Sequence, residues 1–115
     1  MRNDIHTYCL SLPGASADFP FDSEVEVYRV GNKIFALMGH EEPLFINLKC
    51  EPELAQELRR AYEGIKPGYH MNKEHWNSID LNSDVSLDVL KGLVERSYNL
   101  IFAGLPKRLQ RQIKP

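Results

Sequence analysis

The chain has 115 residues, 43% hydrophobic and 26% charged. That is the balance of one ordinary water-soluble domain, since a second core would have too little chain to bury it. Fourteen basic and 16 acidic side chains leave a net charge of −2, so any attraction to nucleic acid or an anionic membrane has to come from a local patch.

No apolar run approaches the roughly 20 residues that span a bilayer, and Met1-Arg2-Asn3-Asp4-Ile5-His6 contains no signal-peptide core. A cytoplasmic monomer with no membrane contact is expected. Cys9 and Cys50 lie far apart and form no C-x-x-C, which reads as two free, buried thiols.

Asn3 to Leu12 carries Ile5, Tyr8, Cys9 and Leu12 at helical spacing, and Pro13-Gly14 stops it. Ala15 to Asp22 reads as a loop pinned to the core by Phe19-Pro20-Phe21. Glu24 to Val30 alternates charged and apolar residues, predicting a strand with one wet face. Gly31-Asn32 is a two-residue hairpin signal, because both residues tolerate positive φ. Lys33 to Met38 returns, Glu41-Glu42-Pro43 turns the chain, and Leu44 to Cys50 completes a three-strand meander.

Pro52 suits the first turn of a helix, where its missing N–H costs nothing. Leu54, Ala55, Leu58 and Tyr62 form that helix's apolar stripe, and Gly64 is expected to end it. After the Pro67-Gly68 turn, His75 to Leu81 has strand character. Ser86 is the expected N-cap of a long last helix holding Leu90, Leu93, Val94, Ile101 and Phe102, with Asp88 near its positive end. Gly104-Leu105-Pro106 breaks it before a basic tail with Lys107, Arg108, Arg111 and Lys114, read as a solvated, frayed end. Helix, meander, helix, one or two further strands and helix predict an α+β domain over 1–115, with helices packed on one face of an antiparallel sheet.

Gly68 to Asn77 concentrates two histidines, a lysine, a tyrosine, two asparagines and the only tryptophan. Aromatic faces, hydrogen-bonding edges and positive charge are what a binding surface needs. Lysine neutralises phosphate, asparagine bonds base edges or sugars, and tryptophan stacks or wedges. The blander reading makes Tyr69 and Trp76 core aromatics, with His70 and Asn72 bonding a turn.

Several blocks in order closely resemble the MmcQ/YjbR family. They are Cys9 to Ala15, Asp18 to Phe21, Val30 to Ala36, Ile46 to Cys50, Pro67 to Asn77, and Ser97-Tyr98 through Ala103 to Pro106. The resemblance implies a CyaY-like (frataxin-like) fold, a twisted antiparallel sheet packed against helices. It also implies DNA binding through a "double wing" surface. On that reading the nucleic-acid contacts are Lys66, Tyr69, His70, Asn72, Lys73, His75, Trp76, Asn77, Lys107 and Arg108.

No catalytic residue is expected. The chain has no G-x-S-x-G, no phosphate-cradling glycine loop and no cysteine-protease signature. No cofactor or metal is expected either: His70 and His75 have no carboxylate or cysteine joining them at ligand spacing. Frataxins hold iron mainly on an acidic ridge of the first helix, where this chain has only Asp4. Two alternatives stand beside DNA. One is a protein-interaction module, and the other a small-molecule binder with a pocket of Trp76, Tyr69 and His70. A continuous positive face over Lys66, Lys73 and the tail would favour DNA.

Overall fold

Alternation along the strands gives the molecule two unlike faces. The computed structural model describes all 115 residues. Its elements are α1 (Arg2–Ser11), β1 (Ser16–Asp18), β2 (Val25–Val30), β3 (Lys33–Gly39), β4 (Phe45–Lys49), α2 (Pro52–Ala61), β5 (Ile65–Pro67), β6 (Trp76–Asp80), α3 (Leu87–Ala103) and α4 (Lys107–Ile113). The strands form one antiparallel sheet in the order β1-β2-β3-β4-β6-β5. The α+β class expected from the sequence is the class observed.

Tyr28, Ala36, Met38, Ile46, Leu48, Ile65 and Ile79 point to one face and join Ile5, Cys9, Leu90, Val94 and Tyr98 in the core. Leu58 of α2 packs on the same cluster, so α1, α2 and α3 all cover this face. Each fully buried large apolar side chain contributes about 1.5–3 kcal/mol. That packing carries α1 and α2, which have no side-chain N-cap. The opposite face carries a row paired across the whole sheet: Asp18, Val27, Leu37, Asn47, Ser78 and Lys66.

Local signals hold where the chemistry is local. Ser86 Oγ accepts the Val89 N–H at 3.2 Å and caps α3. Gly31 and Asn32 both have positive φ, 55° and 69°. Gly31 is required on a second count, because a Cβ there would stand 2.6 Å from Leu105 Cδ1. The β3–β4 ladder ends at Ala36 and Leu48. Beyond it the Ser97 hydroxyl of α3 donates to Phe35 O at 2.6 Å and accepts the Lys49 N–H at 2.9 Å, bonding two backbone groups at the point where the ladder stops.

Five readings of the sequence need correction. Ala15 to Asp22 includes strand β1, because the free edge of β2 offers partners to residues with little β preference of their own. Phe19 and Phe21 do not pin that segment to the core; they are 45% and 68% exposed. Glu26 lies on the buried face, not the wet one, since Tyr28 and Val30 set the phase of β2.

Helix α2 ends at Ala61, before Gly64; the space around Gly64 is filled by the Ser83 side chain, which an added Cβ would strike. The basic tail is helix α4 rather than a frayed end. Leu109 and Ile113 pack on the core, and Lys114 Nζ lies 4.4 Å from the Phe102 ring centre. An apolar pair at i and i+4 gives one face to bury even in a helix this basic.

Candidate functional site

The Gly68 to His75 connection between β5 and β6 is braced rather than loose. Gly68 N–H donates to Trp76 O at 2.8 Å, and Trp76 N–H to Asn72 O at 2.9 Å. Asn72 Oδ1 accepts the Glu74 N–H, and the Lys73 ammonium reaches Gly68 O at 3.2 Å. From α2, Arg59 donates Nε–H to Asn77 Oδ1 at 2.6 Å and its other N–H groups to the carbonyls of Lys73 and Trp76. His75 O accepts the Cys50 N–H at 2.8 Å.

This framework separates the residues that the sequence grouped. Asn77 is 2% exposed and donates to Ala55 O, so it braces the scaffold and offers nothing to a ligand. Asn72 shapes the loop. His75 and Trp76 are partly buried, and Trp76 sits beside Lys49 on the helix-free face. Tyr69 is 65% exposed, with the His70 ring 4.0 Å away centre to centre. His70 has φ 59°, a conformation a non-glycine residue seldom adopts.

Antiparallel register sorts the charges to the two ends of the strands. The β2–β3 turn with Lys33, the end of β4 with Lys49, and the loop with Lys73 lie at one end. Helix α4 joins them, since Leu109 packs at Gly31, which brings Lys107, Arg108 and Arg111 to that end. Asp22, Glu24, Glu41, Glu42, Asp80 and Asp84 lie at the other end. The basic end also contains Glu74, and Glu51 paired with Arg96 at 2.9 Å.

Lys66 does not join the basic group. With Tyr69, Phe45, Val25, Pro43, Pro67 and Ser78 it lines a groove of about 520 Å³, together with Glu24, Glu41 and Glu42. A hydrogen bond shared with Glu41, then the charges of Glu41 and Asp22, hold the Glu24 carboxyl above the usual carboxylate range. The expected pocket of Trp76, Tyr69 and His70 is not formed: Tyr69 lines this groove, and the other two do not.

Sequence reading missed a second polar group because it spans three elements. Glu26 Oε1 accepts from Tyr28 Oη at 2.9 Å and His40 Nε2 at 3.0 Å. Arg2 donates to His40 Nδ1 at 3.1 Å, and His6 Nδ1 lies 2.7 Å from Tyr28 Oη. These bonds tie the start of α1 to the sheet. Both cysteines are free and buried. Burial, with the nearby Glu26 charge second, pushes the Cys9 thiol up to about 12.

The family model described as YjbR matches residues 10–100. The uncharacterized protein YbdF of Escherichia coli O157:H7 is 40% identical over 107 residues, 92% of this chain and 88% of that protein. YyaQ of Bacillus subtilis (strain 168), also uncharacterized, is 34% identical over 114 residues, 86% of this chain and 96% of its own length. Among solved structures, a crystal structure from Deinococcus radiodurans superposes with a TM-score of 0.91 at 35% identity, over 98% of this chain and 87% of that one. One from Pseudomonas syringae gives 0.78 at 30% identity, over 88% and 98%. With one fold shared and the match running along most of its length, this chain belongs to the YjbR family.

Proposed function

We propose that the protein binds DNA weakly, with little sequence preference, through the basic end of its sheet. The observation that carries this reading is the charge sorting: Lys33 and Lys73 stand on two braced hairpin connections, with Lys49 between them and Lys107, Arg108 and Arg111 alongside. Neighbouring strands are about 4.8 Å apart, so the two connections are close enough to touch one duplex as a pair of wings. Ordered loops lose little conformational freedom on binding. The acidic opposite end gives the complex one orientation and limits its affinity.

The test is binding to unrelated duplexes across a salt series. Affinity is expected to fall steeply with salt, and each lost phosphate contact to reduce the slope by roughly one counterion. Lys33→Glu with Lys73→Glu, and separately Lys107→Glu with Arg108→Glu, are expected to weaken binding to every duplex. Reversal of Glu41 and Glu42 to Lys at the far end is expected to leave the slope unchanged. No complex at low salt with tens of micromolar protein would sink the reading, as would basic-end reversals without effect.

A second reading has one observation in its favour. Phe19 and Phe21, either side of Pro20 in one loop, are large and exposed, the kind of apolar surface that suits a protein partner. Phe21→Ser would abolish capture of such a partner and leave DNA binding intact.

A further inference from the structure

We infer that the groove on the helix-free face is a binding site for a small organic cation, an ammonium or guanidinium group on an apolar body. It lies at the acidic end of the sheet and stands independently of the DNA reading.

The groove has two chemistries in the right order for such a ligand. Phe45, Val25, Pro43 and Pro67 supply an apolar floor and wall, while Glu24, Glu41 and Glu42 supply negative charge against a single cation, Lys66. Glu24, Glu41 and Glu42 line the same groove, and a cation bound among them would offset the repulsion of like charges. An anion would meet three carboxylates. Tyr69 lines the same groove, and an aromatic ring attracts a cation held over its face.

The groove is built by specific contacts. Phe45 lies across Gly39 so closely that a Cβ there would stand 2.6 Å from its ring, so the floor depends on that glycine. Tyr69 N–H donates to Ser78 Oγ at 2.9 Å, and the Ser78 hydroxyl in turn bonds Asn47, which fixes the backbone carrying the exposed ring. The volume of about 520 Å³ falls within the range of small-ligand sites, about 300–1,000 Å³. A stable protein interface needs about 20–30 residues a side, far more than line this groove.

The experiment uses phenethylamine as probe and phenylacetate as its control of similar shape and opposite charge, each titrated into the full chain and followed by amide chemical shifts. Phenethylamine is expected to move the Gly39, Phe45, Tyr69 and Ser78 amides saturably, and phenylacetate not to. Glu41→Gln with Glu42→Gln is expected to weaken the amine about tenfold or more, as loss of charged hydrogen bonds does. These residues are exposed, and unchanged shift dispersion would show the fold intact. Tyr69→Ala, also at an exposed site, is expected to weaken it further. No saturable shift, equal response to phenylacetate, or carboxamide variants that bind as well as the parent would each overturn the assignment.

Discussion

Arg59 Nε donates to Asn77 Oδ1 at 2.6 Å, joining α2 to β6 beneath the most distinctive segment of the sequence. The same guanidinium holds the carbonyls of Lys73 and Trp76, so one side chain braces the loop from below. Arg59→Leu should therefore destabilise the fold by about 1–3 kcal/mol, the cost of stranding buried polar partners. Urea denaturation measures the loss, and hydrogen exchange should show faster opening confined to Gly68–His75. Lys73 is itself exposed and its ammonium makes a single contact, to Gly68 O, so Lys73→Ala should change stability by less than about 0.5 kcal/mol.

Ser97→Ala tests the bridge between α3 and the parted strands. It strips the Phe35 carbonyl and the Lys49 N–H of their shared hydroxyl, and should also cost about 1–3 kcal/mol. Ser97→Cys, close in volume but a weak hydrogen-bonder, should recover little of it.

The Glu24–Glu41 pair predicts a pH effect of definite sign. The folded state holds the Glu24 carboxyl above its ordinary value, so its stabilising contribution is complete below the unfolded value and lost as pH rises through the folded one. Above that range the folded state carries the Glu24 charge beside Glu41 and Asp22, which like-charge repulsion disfavours. Glu24→Gln should raise the melting temperature at pH 7, and the gain should close below about pH 4. A gain that persists unchanged in acid would mean that repulsion is not its source.

The thiols should be inert in the folded protein. Burial raises Cys50 as well as Cys9, and both side chains are almost fully inaccessible. A thiol reagent at pH 8 should label neither at a measurable initial rate, then both on addition of denaturant. Fast labelling of the native protein would show an opening that the packed fold does not contain.

Much of the candidate site was legible as composition and little of it as geometry. The aromatic and basic residues after Pro67 stood out because their types are unusual together. Which of them face outward depended on Arg59, which precedes them in another element, and on the register that sets Asn77 against Leu48. The groove was not legible at all, since Glu24, Phe45, Lys66 and Tyr69 come from separate strands and loops.

The sequence by itself determined helices α1, α2 and α3, the β2–β4 meander, the Gly31-Asn32 turn, the Ser86 cap and the α+β class, because each follows from periodicity, turn chemistry or capping over a few residues. Only the tertiary structure decided that Glu26 turns inward, that the tail docks as a helix, and that acids and bases gather at opposite ends. Those outcomes rest on antiparallel pairing, which reverses the chain at every strand and brings residues far apart in sequence to the same end.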